Sequence, residues 1–231
     1  MICNKDTDEL VELVLKQMEM FGLSGNKRVY IEKAIGNALQ RLETNFKAIN
    51  SKYYYNNGIV QFSTNHADQY TLFLWYLSNA IYRYAKDTHD VLEHECAEQI
   101  FYLNRVMNSC NWFYAIELPE HFYVEHPIGS VLGRASYGDY LCIYHGVTIG
   151  GSFDKSGNII YPTIGNKVTC FANSSILGNS LIGDNVVIAA NTIVVNKKIP
   201  DNCLVIGAGN DILIKPNDTK LSLWKTVDSG E

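Results

Sequence analysis

The sequence is short of several things, and each absence narrows its chemistry. It has no surplus of positive charge: 19 Lys and Arg stand against 24 Asp and Glu, a formal charge of −5. The basic face that nucleic-acid binding needs is therefore not expected. It has no CxxC pair. Its six cysteines, Cys3, Cys96, Cys110, Cys142, Cys170 and Cys203, are scattered, which predicts reduced, buried thiols in a cytoplasmic protein. It has no long apolar run. The most apolar window, YTLFLWYLSNAIYRYA, falls short of a bilayer span and holds Arg83, so no integral membrane segment is expected. In MICNKDTDEL the charges come before any apolar stretch, so no secretory leader is expected. HExxH is missing too. The HDVLEHE segment, His89 to Glu95, carries ligand-type residues but lies in a helical stripe. It reads as a charged solvent face, and no metal is expected.

What is present is a core. Hydrophobic residues make up 47% of 231 positions, enough for one large domain or two modest ones. The first half has helical period. Leu10, Val11, Val14, Leu15 and Met18 form one stripe, and Ile31, Ile35, Ala38, Leu42 and Phe46 a second. Tyr70, Phe73, Leu74, Leu77 and Ile81 form a third, and Leu92, Cys96, Ile100, Leu103 and Met107 a fourth. Asp6 followed by Glu9 fits a capping box for the first helix. A polar, turn-rich stretch, NSKYYYNNGIVQFSTNHAD, separates the second and third stripes.

The second half changes period. Ile164, Cys170, Ile176, Ile182, Ile188 and Val194 recur every six residues. Upstream, Val131, Tyr137, Ile143 and Ile149 keep the same step, and nine extra residues part Ile149 from Ile164. Four residues after each of Ile164 to Ile188 comes a small or β-branched residue: Val168, Ser174, Ser180, Val186 and Thr192. A six-residue period is the mark of a hexapeptide parallel β-helix. Three short strands make one triangular coil. The aliphatic residue points inward onto its copies above and below, and the small one fits the corner.

At HPIGSVLGRASYGDYLCIYHGVTIGG the chain resembles the serine acetyltransferases and their relatives among the hexapeptide-repeat acyltransferases. The likeness covers about residues 112 to 210. It implies an α+β protein, with a helical domain over 1–111, a left-handed parallel β-helix over 112–215 and a C-terminal tail over 216–231. It implies acetyl-CoA as co-substrate and O-acetyl transfer to a hydroxyl. A homotrimer with active sites between subunits is implied as well, with the pairing of trimers into hexamers left open.

Acetyl transfer to an alcohol needs a base for the hydroxyl proton, a group that orients the base, and donors for the oxyanion. Histidine suits the first role because it titrates near neutrality. The Glu125-His126 pair ahead of VTIGG (Val147 to Gly151) resembles the family's Asp-His pair, which implies His126 as the base. The IELP segment resembles the family's V-D-I-H-P, which implies Glu117 as the orienting acid, one hexad closer than in the relatives. Glu125 stands where the family's Asp helps to hold serine. The inserted loop ends Ile160-Tyr161-Pro162 where the family has Arg-His-Pro. Glu125 and Tyr161 therefore bear on the acceptor, which is either serine or a sugar hydroxyl of a surface polysaccharide or its precursor. His145, on a coil beside the inserted loop, is the rival base in this pocket, whereas His121 reads as a surface residue. For the pantetheine arm, Gly150 and Gly151 permit close approach of backbone. Ala172 matches a groove-lining family position, Asn173 follows it, and Ala190 lies one coil above. Lys197, Lys198 and Lys215 are candidate phosphate contacts.

Overall fold

The computed structural model describes residues 1–23 and 25–225. Four helices fill the first half: α1 (Thr7–Met20), α2 (Arg28–Ala48), α3 (Ala67–Thr88) and α4 (Val91–Asn108). The capping box forms at α1. Glu9 N–H donates to Asp6 Oδ1 at 2.8 Å, and Asp6 N–H donates to Glu9 Oε2 at 2.9 Å. Of the stripes, Leu10, Val11, Val14 and Met18 are buried on α1 and Ile31, Ile35, Ala38, Leu42 and Phe46 on α2. On α4, Cys96, Ile100 and Leu103 are buried while Leu92 and Met107 stay exposed.

α3 departs from a simple amphipathic helix. Every residue from Asp68 to Ile81 is buried. α2 and α4 pack against it, and the segment after α4 covers what remains. Asn79 Nδ2 reaches the Tyr114 carbonyl at 2.7 Å and the Ile116 carbonyl at 3.2 Å, which satisfies a buried amide that would otherwise cost free energy. The turn-rich stretch also acquires structure. Tyr55–Asn56 and Ile59–Phe62 form a hairpin around Asn57 and Gly58, both at positive φ as a tight hairpin turn requires. Ile2–Cys3 adds a parallel edge to it.

The second half coils. Ile164 pairs in register with Ile182, Cys170 with Ile188, and Ile176 with Val194, each eighteen residues and one turn apart. These form three parallel sheets whose inward residues are buried. Burying each such aliphatic side chain is worth roughly 1.5–3 kcal/mol. The nine extra residues leave the wall as a hairpin, Ser152–Phe153 against Ile159–Ile160.

The six-residue rule breaks upstream, with eight residues from Val124 to Leu132 and then five to Tyr137, and the longer step matters. Val124 pairs with Ile143, but Leu132 pairs with Ile149. Eight residues therefore cover the first corner where six cover the next. Leu132, not the expected Val131, points inward. The two extra residues belong to the stretch Glu125 to Val131, which carries His126.

At the far end, Cys203–Ile206 pairs antiparallel with Leu213–Pro216. The chain then returns to the helices. Asn50 Nδ2 donates to the Ser222 carbonyl at 2.9 Å, and Lys225 N–H donates to the Ala48 carbonyl at 2.8 Å. Positions 226–231 of the expected tail lie outside the described residues. No described helix is long and apolar enough to cross a membrane.

Candidate active site

The expanded corner holds its first histidine in a conformation few side chains adopt. His126 has φ of +49°, in the left-handed region that β-branched residues avoid. Its backbone is pinned: the Ile128 N–H donates to the His126 carbonyl at 2.7 Å, and the His126 N–H donates to Asp68 Oδ2 at 3.2 Å. The ring stands out from the wall, 73% exposed.

Two carboxylates flank that ring. Asp68 Oδ2 lies 3.8 Å from Nδ1, and Glu125 Oε1 lies 3.7 Å from Nε2. Both distances exceed a hydrogen bond but suit attraction to an imidazolium. Asp68 is buried in the first turn of α3. Burial raises its pKa above the ordinary carboxylate value, against the His126 N–H and the two nearby imidazoles, His66 and His126, which lower it. Among the described residues neither carboxylate is paired with an arginine or lysine.

Aromatic residues hold the carboxylates from behind. The Tyr123 hydroxyl donates to Glu125 Oε2. Tyr54 packs edge-on against Tyr123 at 5.5 Å and against His66 at 5.6 Å. The Tyr54 hydroxyl is buried, has no hydrogen-bond partner among the described residues, and feels the charges of Asp68 and Glu125. Burial chiefly, and then Glu125, push the Tyr123 phenol well above its usual pKa. It is therefore a neutral donor at every working pH.

The structure corrects one assignment. Glu117 does not pair with His126: it pairs with Arg83 of α3 and is 63% exposed. The segment after Trp112 runs along α3, bonded to Asn79 through the Tyr114 and Ile116 carbonyls. The acid beside Nδ1 is Asp68, from the helical half.

The remaining candidates fall in several places. His145 is exposed on the corner one coil above His126, and its carbonyl accepts the Asn173 N–H at 2.9 Å. No carboxylate pairs with its ring among the described residues. Asn173 has φ of +59° and donates to Asn191 Oδ1 at 3.4 Å. Ala172 and Ala190 sit on this edge, with the Asn191 N–H on the Ala172 carbonyl. Gly150 has open space where a side chain would project, whereas at Gly151 a Cβ would meet Tyr161 and Ile159. Tyr161 thus closes the base of the inserted hairpin. Lys197 is half-buried and Lys198 exposed near the end of the solenoid, and Lys215 is exposed on the last strand.

His121, read as a surface residue, makes the shortest histidine–carboxylate contact described. Its Nδ1 is 2.8 Å from Asp139 Oδ2, and its N–H donates to Asp139 Oδ1 at 2.9 Å. The ring stacks on Tyr140 at 4.5 Å. Held on so many sides, it ties two coils together.

No family model matches the chain. A serine acetyltransferase of Synechococcus elongatus is 34% identical over 115 residues, 49% of this chain and 46% of that protein. One from Helicobacter pylori is 31% identical over 128 residues, 55% of this chain and 74% of that protein. The chain belongs to the serine acetyltransferase family. It spans less than half the length of the Synechococcus relative. A solved serine acetyltransferase in complex with CoA aligns with TM-score 0.64 at 16% identity, over 90% of this chain and 83% of that one. That likeness shows the fold, helices followed by a left-handed parallel β-helix.

Sequence reasoning in the family's frame missed Asp68, Tyr54 and Tyr123. Tyr123 was reachable, since alternation along a strand puts residues 123 and 125 on one face. Asp68 was not: an acidic residue in a helix's first turn is ordinary dipole chemistry.

Proposed function

We propose that the protein is an acetyl-CoA-dependent O-acetyltransferase with His126 as general base. The observation that carries this reading is His126 itself, displaced outward at an expanded corner and flanked by Asp68 and Glu125. His126 Nε2 takes the acceptor's proton as the hydroxyl oxygen attacks the thioester carbon. Asp68, on the Nδ1 side, orients the ring and stabilises the imidazolium. The tetrahedral intermediate then expels the CoA sulfur, which receives that proton back, and the ester leaves. Positioned base catalysis is worth roughly 10²–10⁴-fold. His126→Ala should lower thiol release from acetyl-CoA by that order, and an undiminished rate would remove the assigned base.

The groove for CoA runs along the coil edge through Gly150, Gly151, Ala172, Asn173 and Ala190, with Lys197 and Lys198 toward the phosphates. The open space over Gly150 supports it. A homotrimer would complete that groove from a neighbouring prism. The six free thiols, five of them buried, suit a reducing cytoplasm.

Serine is the acceptor that family membership favours. A sugar hydroxyl is the second reading, and Tyr161 favours it. The hairpin presents this half-exposed aromatic where the resemblance would place an Arg-His, so the loop's end lacks that cationic anchor for a serine carboxylate. Turnover of serine and of sugar acceptors, measured side by side, separates the two. No product with serine at any concentration would leave the second.

A further inference from the structure

A pair of rings stands on the outer wall beside Glu125. Val124 and Ile143 are buried in the prism and pair in register. Side chains alternate along a strand, so Glu125 and Tyr144, the next pair of that register, point outward. Their strands run about 4.8 Å apart, as neighbours in a sheet do. One coil on, Phe171 follows the inward Cys170 and also points outward. Its ring lies 4.9 Å from that of Tyr144, tilted by 34°. Both rings are partly exposed. The stack ends there, because Ala189, after the inward Ile188, holds the same place on the next coil. Behind Glu125, Trp224 packs against Tyr123 at 6.3 Å and closes that flank. The open aromatic surface thus begins at Glu125 and extends over the Tyr144 and Phe171 rings.

The position of these rings selects what they meet. Glu125 Oε1 lies 3.7 Å from His126 Nε2, the atom that takes the acceptor's proton, so the acceptor enters on this side. The groove proposed for CoA starts instead at Gly150, on the adjoining five-stranded sheet, whereas Glu125 and Tyr144 lie on the six-stranded one. The adenine of CoA is parted from the thioester by the whole pantetheine arm, so it cannot lie on rings that adjoin the base. Serine has no apolar face to cover them. Burial first, and then Cys142 and Glu125, push the Tyr144 phenol up to about 12. The ring is therefore uncharged and gives an ionic headgroup no partner. A pyranose fits this surface. Its C–H groups occupy its faces and its hydroxyls the rim, so stacking buries apolar area while the hydroxyls stay free to react.

We infer, building on His126 as the base, that Tyr144 and Phe171 determine acceptor specificity: a pyranose lies on their rings with one hydroxyl at His126 Nε2. The test is saturation-transfer NMR of the full chain with methyl β-glucopyranoside and, separately, methyl β-galactopyranoside, with no acetyl-CoA present. At least one glycoside should show a saturable signal, strongest for the ring protons of one face. Tyr144→Leu and Phe171→Leu each remove a ring and keep apolar bulk. Each should weaken sugar binding about tenfold, with the Kd for CoA, read by calorimetry, unchanged. His126→Ala should still bind the sugar; if that variant also turns over normally, the base assignment fails while the platform stands. No saturable signal with either glycoside overturns the inference. So does a signal of equal strength in wild type and both leucine variants. A change of assembled mass in those variants overturns it too, by assigning the rings to packing between subunits.

Discussion

Asp68 touches His126 twice. Its Oδ2 accepts the His126 backbone N–H at 3.2 Å and lies 3.8 Å from the ring Nδ1. A residue of the first helical turn of α3 thus fixes both the backbone and the electrostatics of a coil corner 58 positions later. Asp68→Asn keeps an acceptor for the N–H but removes the charge that would stabilise an imidazolium. The expected outcome is a fall in kcat of about 10²-fold, within the range for positioned proton transfer. KM for acetyl-CoA should stay unchanged. Steady-state thiol release measures both, and a wild-type kcat would show that Asp68 only props the corner.

The same substitution has a second, opposite consequence. Burial holds the Asp68 pKa above its usual value, and so above its value in the unfolded chain. Its contribution to stability is therefore full below about pH 4, the ordinary carboxylate pKa, and is lost as pH rises through the folded value. Asn carries no such dependence. Between pH 4 and pH 7 the Tm of Asp68→Asn should gain on that of wild type. Scanning calorimetry across that range checks it; parallel Tm curves would mean that the carboxylate is not desolvated as described.

Glu117→Gln should leave turnover within about twofold of wild type. The side chain faces Arg83 and solvent, and an exposed ion pair is worth about 0–1 kcal/mol. A large fall in kcat would restore it as the orienting acid and displace Asp68.

The β-helix was legible because its period is a packing rule. An inward aliphatic every six residues is needed to stack each coil on the next, and Ile164, Cys170, Ile176, Ile182, Ile188 and Val194 all obey it. The rule also explains the miss at Val131. Extending the same step upstream assumes that every corner has the same length, whereas the corner carrying His126 is two residues longer. A functional loop had to leave the repeat, and a strict period cannot register that. His126 was found by resemblance to a local motif. Its acid was assigned to Glu117 for the same reason, but a long-range contact from α3 leaves no trace in local spacing. Local spacing in the turn-rich stretch carries no mark of Tyr54 either, because it packs across the tertiary fold on Tyr123 and His66.

Adjacent glycines should behave differently when each is given one methyl group. At Gly151 a Cβ would stand 2.8 Å from Ile159 Cγ2 and 2.9 Å from Tyr161 Cε1. Gly151→Ala must push the hairpin outward, costing about 1–3 kcal/mol as overpacking does, and should raise the acceptor KM. At Gly150 nothing lies within 4 Å. Gly150→Ala should change stability by no more than about 0.5 kcal/mol, while raising KM for acetyl-CoA, because the methyl group enters the proposed groove. Denaturant unfolding and separate KM values distinguish the two. An unchanged acetyl-CoA KM in Gly150→Ala would move the groove elsewhere on the coil.

Tyr123 offers a test of Glu125 that spares the base. Its hydroxyl donates to Glu125, and its ring is wedged between Tyr54 at 5.5 Å and Trp224 at 6.3 Å. Trp224 arrives on the returning C-terminal segment, which thus buttresses the ring behind Glu125. Tyr123→Phe keeps the wedge and deletes the donor. Glu125 is then free to swing toward His126 Nε2, now 3.7 Å from it, and to compete with the incoming hydroxyl. The acceptor KM should rise several-fold, by about the 1.5–3 kcal/mol of a hydrogen bond to a charged group at most, with KM for acetyl-CoA unchanged. Because the phenol is held far above its usual pKa, the wild-type acceptor KM should show no step from its ionisation up to pH 9. A rise confined to acetyl-CoA KM in Tyr123→Phe would place Glu125 on the wrong substrate.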